Sequence, residues 1–199
     1  MKTEKQENIK DHIITIATRI FSKFGFRKTT INDIAEEMGK GKSSIYYYFK
    51  SKEEIYKEVI QREAELFKKE VYDNVINTSQ NPKDKLRNYV LKRMKFLKEL
   101  VNFNEALRND YLKSLPFIEK LRERYDHEEF EAIKGILDEG IEKGIFNVTE
   151  TELATAFVTA MKGLEVPLFI KNDYTLSDLE IRLDEMLHIL FYGLVNQSK

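Results

Sequence analysis

The stretch from Thr29 to Ile55, TTINDIAEEMGKGKSSIYYYFKSKEEI, constrains the fold of this chain more than any other part. Its first apolar residues recur at the spacing that lines one face of a helix: Ile31, Ile34, Ala35 and Met38. Thr30 precedes this run and Asp33 follows three residues later, a relative of the capping box that marks a helix start. Two glycines and a second short helical run come next. The stretch therefore predicts two helices packed at an angle, a helix-turn-helix.

The second helix of this motif is predicted to run from about Lys42 to Phe49. Gly39 and Gly41 precede it, and both are predicted to supply the positive φ that a sharp turn needs. One side of the helix is apolar or aromatic, with Ile45, Tyr48 and Phe49. The other side has hydroxyls and positive charge but no carboxylate: Ser43, Tyr47 and Lys50, flanked by Lys42, Ser44 and Tyr46. Such a face suits duplex DNA, because lysines neutralise phosphates and hydroxyls bond phosphates or base edges.

The same stretch resembles the DNA-binding signature of the TetR family of bacterial transcriptional regulators. The matching residues stand in the order and spacing of that family: Gly25-Phe26, Thr29-Thr30-Ile31, Asp33-Ile34-Ala35, Gly39, Lys42, Ile45-Tyr46, Tyr48-Phe49 and Lys52. The chain departs from the pattern at Lys40 and Gly41, where a small apolar residue and a serine are usual, and at Ser43, usually glycine. The resemblance implies an operator-binding protein with a helical effector-binding domain.

The residues predicted to contact DNA combine the outer face with the family pattern: Thr30, Lys42, Ser43, Ser44, Tyr46, Tyr47, Tyr48 and Lys52. Lys52 has a second interpretation as a solvated surface lysine. It completes the Phe-x-x-Lys pattern of the family, however, and this favours a phosphate contact.

Composition describes an ordinary globular chain of 199 residues with 42% hydrophobic content, enough for one large domain or two small ones. The absence of cysteine excludes disulfides and thiol chemistry and fits a reducing compartment. The N-terminal MKTEKQENIKDH is too polar for a secretory signal, and Lys162 and Glu165 interrupt the most apolar later stretch. We therefore expect a cytoplasmic protein with no membrane partner.

The net charge of −1 hides an asymmetry. Residues 1–52 hold 11 Lys and Arg against 6 Asp and Glu, whereas the remainder holds 22 against 28. Any chain divided at a chosen point shows some imbalance. A basic N-terminal segment nevertheless agrees with a nucleic-acid partner.

The rest of the chain reads as helices, without strand-like alternation or internal repeats. The predicted spans are about 7–24, 52–76, 82–101, 103–110, 114–143, 149 or 151 to 170, and 177–195, with Gly25 and Gly144 closing two of them and Ser177 capping the last. The predicted fold is all-α, with a three-helix head joined by a long helix to a helical C-terminal domain. We assign residues 1–52 to the helix-turn-helix DNA-binding domain and 53–199 to an effector-binding and dimerisation domain.

The last helix favours a homodimer. Its early part has one apolar stripe, Leu179, Leu183, Met186, Leu187 and Leu190, and further apolar residues then nearly encircle it: Ile189, Phe191, Tyr192, Leu194 and Val195. A helix that is apolar all round must be covered on every side, and a second copy supplies that cover. Burial in a monomer is the alternative. The resemblance implies dimerisation through the last two helices, and a two-fold dimer would read a palindrome.

A small-molecule effector is the second expected partner, because aromatic and flexible apolar residues cluster in the C-terminal region and the family binds effectors there. The predicted effector-binding set is Tyr89, Arg93, Phe96, Arg108, Tyr111, Tyr125, Phe157 and Met161. Each residue can equally be ordinary core. The aromatic content favours a hydrophobic or planar molecule.

No catalytic, cofactor or metal site is predicted. The three histidines, His12, His127 and His188, form no ligand motif, although His127 and Glu131 stand four residues apart on a helix. The function predicted is that of a transcriptional repressor released from its operator by an effector. A DNA-bound adaptor of the same fold that recruits a protein partner is the alternative, and a small helical enzyme would need a buried titratable cluster.

Overall fold

The computed structural model describes residues 2–109, 112, 114–146, 152–163 and 175–192, and every regular element within them is a helix. The all-α prediction is thereby confirmed. The chain forms two compact units, one of residues 1–66 and 100–120 and the other of residues 67–99 and 121–199. The first unit thus contains the predicted head together with two later segments, whereas the assignment of functions to 1–52 and 53–199 stays a prediction.

Six helices contribute to the first unit: α1 (Lys2–Phe24), α2 (Ile31–Glu37), α3 (Lys42–Tyr46), the first part of α4 (Lys52–Val71), α6 (Val101–Arg108) and the start of the helix that begins at Pro116. The first helix packs against α2 and α6, and α2 packs against α3. Apolar residues from these helices form the core, among them Ile13, Ala17, Phe21, Ile34, Ile45, Phe49, Ile55 and Phe103. The apolar face of α1 therefore covers the helix-turn-helix.

Helix boundaries in the first unit follow local signals. Gly25 ends α1 with φ 78°, and Gly39 follows α2 with φ 63°. Thr30 caps α2, since its side chain accepts the Asp33 N–H while the Asp33 carboxylate accepts the Thr30 N–H. One prediction is wrong: Gly41 has φ −80° and needs no positive φ, because it serves as the extended N-cap residue of α3.

The second unit contains the end of α4, which continues as one π-helical segment, Tyr72–Ile76, before α5 (Pro82–Glu99). The Lys85 ammonium of α5 donates to the Ile76 carbonyl at 3.1 Å and to the Glu139 carboxylate at 2.7 Å. A cationic side chain thus satisfies a carbonyl left open at the helix end. The predicted long helix to residue 76 is confirmed, with its last turn wound more widely than expected.

Three later helices complete the described residues: α7 (Pro116–Glu142), α8 (Glu152–Gly163) and α9 (Leu176–Tyr192). Gly144 follows α7 with φ 66°, as predicted. The predicted cap of α9 is wrong, because Thr175 and not Ser177 accepts the Asp178 N–H. Asp178 accepts the Thr175 N–H in return, which repeats the Thr30–Asp33 arrangement. The predicted extensions of these helices to residues 170 and 195 lie outside the described residues.

The last helix packs against α5 through Leu179, Leu183 and Leu187, which are buried. Arg87 of α5 reinforces this contact through ion pairs with Glu180 and Asp184. Ile181, Ile189 and Tyr192 remain exposed on the same helix.

Among the described residues, no helix has the length and apolar character that crossing a membrane requires.

Candidate nucleic-acid interface

The core side of α3 fixes its orientation. Ile45 and Phe49 have no exposed surface, and α2 packs directly against α3. Lys10 of α1 reaches over the Phe49 ring, with its ammonium 5.2 Å from the ring centroid. Because one side of the short helix is fully buried, its opposite side must face away from the core.

The outward side of α3 and its flanks carries the predicted contact residues. Lys42, Ser43, Ser44, Tyr46 and Tyr47 are all exposed, the two tyrosines by 52% and 68%. No carboxylate occurs between Lys40 and Ser51. Exposed ammonium and hydroxyl groups on a helix without negative charge form a surface that can approach phosphates and read base edges.

Tyr47 and Tyr48 differ in their surroundings. Tyr48 is only partly exposed, and its ring meets that of Tyr47 edge-on, with centroids 4.9 Å apart. The Tyr47 hydroxyl accepts a hydrogen bond from the Gln6 side chain of α1 at 3.1 Å. Sequence reasoning did not identify Gln6, since 41 residues separate it from Tyr47. Its greater exposure leaves Tyr47 the better placed of the two to meet a groove.

Thr30 is exposed but its hydroxyl is engaged. It donates to the Asp33 carboxylate at 2.9 Å and accepts the Asp33 N–H at 3.3 Å. The side chain therefore fixes the start of α2 in the absence of any partner. A phosphate contact by this hydroxyl would have to share these bonds.

Lys52 occupies a different environment from the exposed lysines of α3. Its side chain is half-buried at the start of α4, and its ammonium donates to the carbonyls of Phe26 at 2.7 Å and Thr29 at 2.9 Å. The ammonium also lies 4.2 Å from the centroid of the Phe26 ring. Neither a solvated surface lysine nor a lysine extended toward phosphate has these partners.

Six of the eight predicted effector residues belong to the second unit, and five of them are buried: Tyr89, Arg93, Tyr125, Phe157 and Met161. Phe96 is partly exposed. Arg108 ends α6 in the first unit with its side chain outside the described residues, and Tyr111 also lies outside them.

The polar centre of the buried set is an ion pair between Arg93 and Glu129, with side-chain exposures of 2% and 0%. The Glu129 carboxylate also accepts the Tyr125 hydroxyl at 3.3 Å and lies 3.7 Å from the Lys162 ammonium. Burial and the nearby Glu129 raise the pKa of Tyr89 well above its ordinary value, so that the phenol stays protonated. Sequence reasoning missed Glu129, which looks like one more acidic residue in the run DHEEFE.

No group of three potential metal ligands occurs among the described residues. Near Arg93, the Glu129 carboxylate is shared by the Arg93 guanidinium, the Tyr125 hydroxyl and the Lys162 ammonium.

Comparison with known proteins identifies the first unit most clearly. Residues 13–59 match the profile described as bacterial regulatory proteins, tetR family. An HTH-type transcriptional regulator of Lactococcus lactis subsp. lactis, from the lacX 3' region and uncharacterized, is 32% identical over 82 residues, which are 41% of this chain and 42% of that protein. The repressor KstR2 of Mycolicibacterium smegmatis is 27% identical over 143 residues, which are 69% of this chain and 67% of that protein. The chain thus spans less than half of the first relative and two thirds of the second.

Solved structures extend the similarity to most of the chain. A transcriptional regulator from Cytophaga hutchinsonii is 29% identical with a TM-score of 0.74, over 91% of this chain and 95% of that one. A putative transcriptional regulator from Saccharomonospora viridis in complex with choline has a TM-score of 0.79 at 21% identity, over 94% and 97% of the two chains. The regulator FadR from Bacillus subtilis in complex with stearoyl-CoA has a TM-score of 0.68 at 22% identity, over 92% and 98%. The last two similarities concern the fold alone.

Proposed function

We propose, on the premise that this chain belongs to the tetR family of bacterial regulatory proteins, that it is a transcriptional repressor released from its operator by a small molecule. The observation that carries the proposal is the division of α3 and the residues directly after it into a buried side, Ile45 and Phe49, and an exposed side of lysine, serine and tyrosine. The similarity to the repressor KstR2 supports the sign of regulation. A DNA-binding repressor acts where the chromosome is, and we therefore propose a cytoplasmic location.

In the proposed complex α3 enters the major groove of the operator. Lys42 neutralises phosphate charge, while Ser43, Ser44, Tyr46 and Tyr47 approach phosphate oxygens or base edges. Tyr47 is 68% exposed, and its ring can contact thymine methyls. Thr30 and Tyr48 lie at the margin of this surface, because the Thr30 hydroxyl is bonded to Asp33 and Tyr48 is only partly exposed.

We further propose that the protein acts as a homodimer through its last two helices. Ile181, Ile189 and Tyr192 leave apolar surface exposed on α9, by 60%, 46% and 61%. Apolar residues of this size, exposed along one helix, mark an association surface. A two-fold dimer would present two copies of α3 to half-sites about 34–36 Å apart and would read a palindrome.

The dimer is tested with charge substitutions on α9. Ile181→Lys together with Ile189→Lys should yield a monomer by light scattering and abolish tight operator binding, because each desolvated lysine opposes association. Leu66→Lys is the matched control, since Leu66 is an exposed apolar residue of α4. A doubly substituted protein that remains dimeric would overturn the assignment of the interface.

The proposed effector site involves the buried residues of the second unit, with Arg93 or a tyrosine hydroxyl as polar anchor and Tyr89, Phe96, Tyr125, Phe157 and Met161 as apolar walls. The fold neighbours that hold choline and stearoyl-CoA support a ligand-binding role for this fold. We propose a hydrophobic or aromatic effector. To release the protein from DNA, the effector must bind the DNA-incompetent state more tightly than the DNA-competent one. A preference of about 100-fold corresponds to about 2.7 kcal/mol of coupling between effector and DNA binding.

The alternative is a DNA-bound adaptor that recruits a protein partner and needs no small ligand. The complete burial of Glu129 against Arg93 favours it, because a carboxylate already paired with a guanidinium offers less to a ligand. The two functions share the DNA-binding surface. They differ in whether any small molecule dissociates the protein from its operator.

The decisive experiment is selection of bound fragments from the source genome, followed by release assays on the selected duplex. A repressor should recover palindromic fragments upstream of genes, and a small-molecule panel chosen from the chemistry of those genes should contain a compound that releases it. Recovery of palindromes without release by any compound would favour the adaptor. Failure to enrich any fragment at low salt would overturn DNA-dependent regulation.

A further inference from the structure

The ammonium of Lys52 lies against one short segment, the loop between α1 and α2. It donates to the carbonyls of Phe26 and Thr29 at 2.7 and 2.9 Å, and it faces the Phe26 ring from 4.2 Å. Two carbonyl oxygens and one aromatic face are favourable partners for a compact cation. The start of α4 is thereby joined to a loop 23 to 26 residues earlier in the chain.

That loop is itself firmly held. Phe26 is 2% exposed, and its ring lies 4.7 Å from that of Tyr56 in α4 and 5.9 Å from that of Phe21 in α1. Thr29 is 1% exposed, and its hydroxyl donates to the Gly25 carbonyl at 2.9 Å. The Lys52 bonds satisfy carbonyls that would otherwise stand at the edge of this buried cluster.

The position of the loop determines the position of α3 through a short series of contacts. Thr29 directly precedes Thr30, the N-cap of α2, and α2 packs against α3. Lys52 therefore contacts the residue next to the one that starts the helix-turn-helix. A shift of the Thr29 carbonyl would move the α2 cap and with it the exposed side of α3.

The half-buried position of Lys52 is costly for a charge. Burial lowers the pKa of its ammonium, while Glu53 and Asp33 act in the opposite direction. Lys42 and Lys50, in contrast, are exposed. An ammonium that served only to neutralise phosphate would gain nothing from leaving water for two backbone carbonyls.

We infer that Lys52 is a positioning residue for DNA recognition: it holds the α1–α2 loop against the first turn of α4 and so sets the placement of α3, and it does not neutralise a DNA phosphate. The inference rests on the proposed function and replaces the phosphate contact that the sequence pattern favours for Lys52. Lys42 retains that role. The two lysines of one motif then contribute to binding by different physical means.

Salt dependence separates the two roles, because each neutralised phosphate adds about 0.9 to the slope of log K against log salt concentration. The test compares Lys52→Met, which keeps the aliphatic stem, with the matched Lys42→Met. Both are titrated against the duplex recovered by selection and against a scrambled duplex. Lys42→Met should flatten the slope by about 0.9 for each subunit and should lower the affinity for both duplexes by the same factor.

Lys52→Met should keep the slope of the parent. It should lower the ratio of the affinity for the selected duplex to that for the scrambled duplex by about tenfold, because the charged hydrogen bonds that position α3 are lost. Loss of stability alone would not change this ratio in the folded protein. If Lys52→Met does not fold, Lys52→Gln serves instead, because its amide keeps a donor without charge and should also keep the slope.

Amide hydrogen exchange provides a second test, made on the protein without DNA. Lys52→Met should raise amide exchange of the segment around residues 26–34, whereas Lys42→Met should leave it at the parent rate. The inference is overturned if Lys52→Met reduces the slope of log K against log salt concentration by about 0.9 per subunit, or if it leaves amide exchange of this segment unchanged. DNA binding by the parent would still uphold the proposed function in either case. A parent that binds no duplex overturns both.

Discussion

Glu63 on α4 accepts the backbone N–H of Phe103 at 2.7 Å and so caps the N-terminus of α6 from a neighbouring helix. The residue before α6, Leu100, makes no side-chain cap. A carboxylate is well suited to this position, because the first N–H groups of a helix carry partial positive charge. The second oxygen of Glu63 accepts the Asn102 side-chain amide at 2.7 Å.

Asn102 extends this contact to α1. Its amide nitrogen lies 3.1 Å from the Thr18 carbonyl and 2.8 Å from the Ser22 hydroxyl, and its backbone carbonyl accepts the Tyr56 hydroxyl at 3.2 Å. Three helices of the first unit, α1, α4 and α6, are therefore joined by one buried polar cluster. Its members depend on one another, since each has few alternative partners away from water.

We expect Glu63→Ala to lower the free energy of unfolding by about 1–3 kcal/mol, because it leaves the buried Phe103 N–H without its acceptor and removes one acceptor of the Asn102 amide. Chemical denaturation measures the change. Glu65→Ala on the exposed side of α4 is the control and should stay within about 0.5 kcal/mol of the parent. An equal effect of the two substitutions would argue against a capping role for Glu63.

The same residue predicts a pH dependence. Burial raises the pKa of the Glu63 carboxyl in the folded state, although hydrogen bonds from Asn102 and Phe103 oppose the shift. Above the unfolded pKa the folded state then binds more protons than the unfolded state, so its stability falls as pH rises through this window. Glu63→Gln removes this titration.

The free energy of unfolding of Glu63→Gln should therefore fall relative to that of the parent as pH is lowered from neutral through the range just above 4.5, the ordinary pKa of glutamate. Denaturation curves of both proteins at a series of pH values measure the difference. A stability difference that does not change with pH would contradict the raised pKa.

The buried pair of Arg93 and Glu129 predicts a non-additive response. Glu129→Met alone should destabilise the protein by about 3–5 kcal/mol, because it strands the Arg93 guanidinium in an interior where that side chain is 2% exposed. Arg93→Met should cost less, because the Lys162 ammonium stays 3.7 Å from the Glu129 carboxylate. The double substitution should cost much less than the sum, since two methionines replace the pair by apolar volume. A double-mutant cycle measured by denaturation checks this, and simple additivity would exclude a direct interaction.

On the exposed side of α3 and its flanks, Ser43→Ala and Tyr47→Phe should change which DNA sequences the protein prefers. They should leave the salt dependence of DNA binding nearly unchanged. Each removes one exposed hydroxyl without removing charge. Selection from a randomised duplex library measures the preference, and Ser114→Ala, an exposed serine beyond α6, is the control. Libraries that return the same consensus for both variants and the parent would exclude these hydroxyls from base recognition.

Helix starts and stops were predictable because their causes lie within a few residues of each other. The Thr30–Asp33 box, the positive φ of Gly25, Gly39 and Gly144 and the first turn of α5 at Pro82 all follow from local chemistry. The Thr175–Asp178 cap was equally local and has the same spacing as the first box. It was missed because Ser177, two residues later, is an equally good cap by residue type alone.

Helical periodicity is enough to predict the helical class, the helix-turn-helix and the outward face of α3, because it separates the buried residues from the exposed ones. The partners of the charged residues depend instead on tertiary packing. Lys52 meets a loop more than 20 residues away, Glu63 caps a helix 40 residues later, and Glu129 neutralises Arg93 across 36 residues. Periodicity carries no information about such pairs, since which distant groups a buried charge meets depends on how the helices pack.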